Sequence, residues 1–362
     1  MIKRNDNKFI WLKSGLLILL FFVSGCATAP KVTQEKAGPI FYPPAPEAPR
    51  LQFLTSFSSS DDLEAAPSTF RKFIVGEEQN TRPIVKPYGV TVHDNKIYIC
   101  DTVINCIEIM DLERRKLEYF RPKEAIQLID PINLSFDPGG NMYIADSRRG
   151  QVVVFDKDGN SLGAIGNKSE FKPTDVAIRD NKIYVCDLKT HSIRIFGLKD
   201  RQYLSSIPAQ DAKEEAKLFS PTNMALDEEG NIYVSDMGSF KVQKYSSDGR
   251  FLMGIGSQGD MAGQFSRQKG VAVDKEGRLY VVDAAFENVQ IFDKAGKLLL
   301  FFGEPGGSAA SLVLPAGITI DYTLRDYFSS LADPSFEVEY LVLVTSQYGD
   351  RKLSIFGYGH KR

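Results

Sequence analysis

Residues 141–160 read NMYIADSRRGQVVVFDKDGN. The run Met142-Tyr143-Ile144-Ala145 ends in Asp146, a turn follows, and Val152-Val153-Val154-Phe155 leads to Asp156 and a second turn. Short runs of β-branched and aromatic residues bounded by Gly, Asn and Asp are strand and turn signals, so the stretch reads as a β-hairpin with a turn on either side. Nearly the same sentence recurs. Tyr98, Tyr143, Tyr184, Tyr233 and Tyr280 lie 45, 41, 49 and 47 residues apart. Three residues after each stands an aspartate: Asp101, Asp146, Asp187, Asp236 and Asp283. Upstream of four of them is a proline (Pro87, Pro131, Pro173, Pro221), and the fifth unit has Gln268 there.

Each unit reads as four strands. The first is short and apolar, as in Leu134-Ser135-Phe136 or Val271-Ala272-Val273. A tight turn such as Asp137-Pro138-Gly139-Gly140 leads into the strand that carries the Tyr. The third strand alternates, as in Val289-Gln290-Ile291-Phe292, and Gly-containing turns lead to a fourth such as Ser161–Gly166. A period of about 40–50 residues with four strands per unit is the signature of propeller blades, in which each sheet buries both faces against its neighbours. The predicted fold is therefore all-β: a six-bladed β-propeller of four-stranded antiparallel blades.

The pattern P-x-x-(apolar)-A-(apolar)-D, then G-x-(apolar)-Y-(apolar)-x-D, then (apolar)-x-(apolar)-F-D resembles the NHL repeat over residues 87–302 and more weakly beyond. A sixth unit begins at Pro315-Ala316-Gly317-Ile318 and departs from the pattern. Tyr322–Glu337 is inserted before Tyr340–Thr345, Thr345 stands where the Asp is expected, Lys352–Phe356 is the third strand, and a fourth is missing. The strand-like run Arg50–Phe57 precedes the first unit, and we expect it to pair outside the sixth blade and close the ring, which removes an exposed edge. Asp62–Val75 reads as a short helix, with Asp61 or Asp62 at its start.

The N-terminus is of another kind. Lys3, Arg4, Lys8 and Lys13 precede the apolar run Leu16–Val23, which is short for a membrane span. Val23-Ser24-Gly25-Cys26 resembles the lipobox of bacterial lipoproteins, which implies cleavage after residue 25 and acylation of Cys26. Several acyl chains anchor stably where one does not. Ala27 rather than Asp implies sorting to the outer membrane. Residues 26–49 form a tether with Pro30, Pro43, Pro44, Pro46 and Pro49, and some 24 residues at roughly 3.1 Å each reach on the order of 75 Å. Residues 50–362 are the propeller. The chain has 44 Lys+Arg and 46 Asp+Glu; the leader carries four of the former and one of the latter, so the mature chain has 40 and 45, a net −5. No basic stripe marks nucleic-acid binding, and charge would not draw the chain to anionic lipid.

Candidate chemistry is sparse. The five Asp residues are spaced around the ring, and we expect each to accept N–H bonds in its own turn. Asn133, Asp175 and Asn223 begin the innermost strands of blades two to four and ring the channel mouth, whereas Gly270, Gly317 and Gly89 stand there in blades five, six and one. Carboxylate and carboxamide oxygens suit a hard cation, and propeller enzymes similar to gluconolactonases hold a divalent metal with such groups, which makes Asp175 the candidate ligand. His93, His191 and His360 are scattered, so the His-rich zinc site of an amidating lyase is not expected. In an oxidising compartment Cys100 and Cys106 are candidates for a disulfide across the hairpin, and Cys186 reads as a small buried hydrophobe. The turns between second and third strands, with Arg148, Arg149, Lys189, His191, Phe240 and Phe286, offer a candidate partner face. The sequence thus points to a monomeric outer-membrane lipoprotein that binds or scaffolds another envelope component, with a metal-dependent hydrolase or lyase as the rival reading.

Overall fold

The computed structural model describes residues 38–63, 81–122 and 126–362. They form six sheets. Five are four-stranded meanders, spanning residues 87–120, 131–165, 173–207, 221–255 and 268–302, and are blades one to five. The sixth is five-stranded. Its inner three strands are Pro315–Asp321, Phe336–Ser346 and Leu353–Lys361; Leu51–Phe57 pairs antiparallel with the last, and Phe41–Tyr42 with Leu51–Phe57. The ring is closed by chain from before the first blade, as the sequence predicts. Closure reaches further back than Arg50: Ile40 and Tyr42 pack on the core between blades five and six, so part of the segment expected as tether belongs to the propeller.

Period-2 alternation accounts for the packing. Ile183 and Val185 face blade two, and Tyr184 and Cys186 face blade four. Repeated round the ring, this gives six hydrophobic clusters among the described residues, one per blade interface. Each blade is therefore apolar on both faces, and none can stand alone.

The prolines are explained by position. Pro87, Pro131, Pro173, Pro221 and Pro315 are each the first residue of an innermost strand, where the missing N–H removes no ladder bond. Each lies opposite the residue ending the second strand: Asp101, Asp146, Asp187, Asp236 and, in blade six, Ser346. This register corrects the expected position of the departure in blade six. Ser346, not Thr345, holds the aspartate place, because the insertion hides the frame in the sequence.

Two further expectations change. Cys100 lies opposite Ile107 and Cys106 opposite Asp101, so the two thiols point to opposite faces of blade one and cannot bridge. Both are free and buried, as is Cys186. The start of the expected 62–75 helix is a 3-10 turn, Ser60–Asp62, capped by Ser59, with Asp62 completing the capping box. Residues 64–75 of that helix, like residues 1–25 and Cys26, lie outside the described residues. The insertion in blade six carries a short helix, α1 (Arg325–Ser329), whose Phe328 is fully buried against Phe57.

The aspartates at the strand ends are completely buried. Four of them, Asp101, Asp146, Asp187 and Asp283, accept main-chain N–H bonds from two segments at once, whereas the Asp236 carboxylate takes them from the incoming Phe219 and Ser220. Asp101 takes them from Val85 and Lys86, which lead into the innermost strand, and from Val103 and Ile104 in its own turn, at 2.6–2.9 Å. Asp283 does the same for Ser266 and Arg267 and for Ala285 and Phe286. Buried donors without acceptors are costly. Asp283→Ala should therefore lower the unfolding free energy by about 3 kcal/mol, and Ser346→Ala, whose side chain serves only the Val313 N–H, by about 1 kcal/mol. Urea midpoints at unchanged m-value would measure both, and equal small effects would contradict the role assigned to the carboxylate.

Candidate functional site

Because one carboxylate holds both the incoming segment and the turn after the second strand, these two loop sets share one face of the ring. The innermost strands begin on this face, and each has a register shift just after its first residue. Such bulges re-aim side chains, here into the channel mouth.

The structure brings Asn133, Asp175 and Asn223 together. They line one cavity of about 150 Å³ in the channel with Thr91, Gly270 and Thr319. All three are buried, and they stitch blades to one another. The Asn133 Nδ2 donates to the Thr174 carbonyl at 2.9 Å. Asp175 Oδ1 accepts from the Val176 N–H and Oδ2 from the Met224 N–H in the next blade, both at 2.8 Å. Asn223 Oδ1 accepts from the Tyr88 hydroxyl at 3.5 Å. Across the ring the same level is held by close approach. A Cβ on Gly317 would lie 2.1 Å from the Tyr88 carbonyl oxygen, and one on Gly89 2.6 Å from that of Ile132. The half-ring of glycines is thus a packing requirement, not a bare binding surface.

Asp175 is the one acid in this cavity. Burial pushes its pKa up to about 7, against the two N–H bonds that favour the charged form. Calcium calls for roughly six to eight oxygens, usually from several carboxylates. A single carboxyl with both oxygens on main-chain amides does not fit a divalent cation, and among the described residues no three His, Cys, Asp or Glu side chains form a metal-binding group. The histidines stay apart: His93 stacks on Phe136, His191 is an exposed turn residue and His360 meets Glu339 at 2.8 Å.

Tyr88 follows Pro87 and was not singled out in the sequence. Its hydroxyl belongs to blade one and reaches Asn223 in blade four, on the far side of the ring, so the ring of Tyr88 lies across the channel. The Lys269 Nζ sits 5.3 Å from the centroid of that ring and donates to Gln347 Oε1 at 2.8 Å. Lys269 also occupies the position just after the first residue of its innermost strand. In the other blades this column holds Ile132, Thr174, Thr222 and Ala316; its two large members were the available signal.

On the loop face the predicted partner residues divide. Arg148, Lys189 and His191 are exposed, though the Lys189 ammonium donates to the Ser169 carbonyl. Arg149 is half-buried and committed to Gln151 and the Gln127 carbonyl. Phe240 and Phe286 are half-buried too. The large apolar side chains that this face exposes include Val103, Ile129, Phe219, Met237, Met261 and Tyr348.

Solved structures share this fold at low identity. A protein of unknown function from Bacteroides thetaiotaomicron is 14% identical, with a TM-score of 0.59 over 85% of this chain and 75% of its own. A gluconolactonase from Xanthomonas campestris is 14% identical, with a TM-score of 0.55 over 90% of this chain and 99% of its own. The calcium-binding protein regucalcin from Agrobacterium tumefaciens is 13% identical, with a TM-score of 0.53 over 77% and 92%. No protein-family model and no curated protein matches the sequence.

The pKa of Asp175 gives a test of the cavity. Between its ordinary 3.8 and about 7 the folded chain keeps a proton that the unfolded chain releases, so its contribution to stability falls across that window and levels off above it. Buried Glu108, pushed up to about 9 by burial, adds a background common to wild type and variant. The stability of wild type minus that of Asp175→Asn should therefore drop by about 2–4 kcal/mol between pH 4 and pH 8, read from urea midpoints at each pH. A flat difference would place the carboxyl in contact with water.

Proposed function

We propose that this chain is a lipid-anchored propeller of the bacterial cell envelope, with NHL-type blades, that works by binding another envelope component rather than by catalysis. Acylated Cys26 holds it on the outer membrane, residues 27–37 link that anchor to the propeller, and the loop face engages the partner as a monomer. The observation that carries this reading is the loop face itself. Val103 is 54% exposed, Phe219 45% and Tyr348 50%, and they come from three separate blades onto one side of the ring, interleaved with Arg148, Lys189 and His191. Apolar and aromatic anchors within a polar surround make a protein-binding surface. The channel argues the same way. Its single carboxyl, Asp175, has both oxygens on main-chain amides and Asn133 donates to a main-chain carbonyl, which leaves the rival metal-dependent hydrolase or lyase without a suitable donor set.

Two measurements test this. Cys26→Ser should abolish incorporation of labelled palmitate and release the chain from the membrane fraction. Photo-crosslinking residues at Phe219 and Tyr348 should trap one discrete envelope component in intact cells, while the same probe at Leu299, 49% exposed on an outermost strand, should not. Equal crosslinking from all three positions, or turnover that needs a stoichiometric divalent ion lost in Asp175→Ala, would overturn the reading.

A further inference from the structure

Lys269 is a lysine with 6% exposure at the channel mouth. Its ammonium carries three donors, and the polar acceptor it meets is Gln347 Oε1, from a side chain itself 8% exposed. No carboxylate lies within ion-pair distance of it among the described residues. The charges near it are instead alike. Burial first, and then Arg267 and Lys86, push its pKa down to about 8. Arg267 is exposed, and the Lys86 Nζ lies 5.4 Å over the ring of Tyr348. Two acids lie in this neighbourhood: Asp175 acts on Tyr88, the ring beneath Lys269, and has both oxygens on main-chain amides, while Asp130 faces Arg148 and Lys172 before Lys86.

A buried cation without a counter-charge is costly, and three cations gathered at one opening raise that cost. Ordinary core packing offers no reason to keep such an arrangement. The equivalent position in the other blades holds Tyr, Ile, Thr, Thr or Ala, so the fold does not require an amine there. The bulge between Gln268 and Val271 aims the side chain inward, and the face of Tyr88 lies beneath the ammonium.

We propose that the channel mouth binds an anionic oxygen group of the ligand, a carboxylate or a phosphate, with Lys269 as its buried anchor, Arg267 and Lys86 flanking it and Tyr88 as the floor. The Lys269 ammonium donates its remaining hydrogens to the anion, and Gln347 orients it. This deepens the binding-face reading by assigning a chemistry to the centre of that face.

Calorimetric titration of the full chain with inorganic phosphate, and separately with acetate, tests it without any envelope partner. Saturable binding to at least one anion is expected; whichever binds more tightly identifies the group. Lys269→Met should weaken that binding at least tenfold, Lys269→Arg should keep it within a few-fold, and Arg267→Met and Lys86→Met should each weaken it several-fold. Lys269→Met should melt no lower than wild type, because it relieves a buried charge. Lack of binding by either anion at millimolar concentration, or undiminished binding by Lys269→Met, overturns the site while leaving the crosslinking result standing. Retained anion binding with no crosslinked partner would instead sink the binding-face reading.

Discussion

Five of the six blades hang on a buried carboxylate. Asp101, Asp146, Asp187, Asp236 and Asp283 have no exposed surface, and a carboxylate out of water is tolerable only when hydrogen-bonded. The donors are main-chain amides of the segment arriving from the previous blade and of the turn that follows. One side chain therefore fixes where a blade begins, how its hairpin turns and how consecutive blades join. It also satisfies loop N–H groups that no sheet ladder reaches. The face on which these loops lie is a product of this one interaction.

Blade six shows what happens when the carboxylate is absent. Ser346 accepts from one donor, the Val313 N–H, where an aspartate accepts from two to four. Other contacts hold this blade. Leu51–Phe57 completes it, Phe41–Tyr42 extends it, and Gln52 Oε1 accepts from the Asp333 N–H in the insertion. Towards blade five, the Tyr280 and Tyr340 hydroxyls meet at 2.7 Å and share Asp274, with Arg278 donating to Tyr340 at 2.9 Å. Towards blade one, the Thr345 hydroxyl donates to the Tyr88 carbonyl at 2.6 Å and accepts from the Gly317 N–H at 2.8 Å. The blade that differs most in sequence is thus bonded to both of its neighbours through side chains.

The channel divides into two levels. Below lies a cavity whose polar residues are occupied in joining strands. Above, Tyr88 crosses the opening and Lys269 rests on its ring. The amides and carboxyl that looked like ligands in the sequence are structural, and the side chains best placed to meet a ligand are a tyrosine and a lysine one residue earlier in the strand. The bulge explains the exchange: it sets which of two successive residues points into the mouth, and a sequence pattern carries no mark of it.

The blade count, the four-strand unit, the aspartate turns and the closing strand were legible because each rests on spacing and period-2 alternation, which sequence displays directly. The insertion after Asp321 hides the frame, so the spacing points to Thr345 where the register has Ser346. The thiols of Cys100 and Cys106 are close in sequence but lie on opposite faces of the sheet, and Phe240 and Phe286 sit in turns yet are half-buried. Sequence alone determined that this chain must bury both faces of a repeated sheet, and hence that it must close into a ring. Which polar groups the ring consumes and which it leaves facing the mouth was decided only by tertiary structure, because that depends on contacts between blades some 45–135 residues apart.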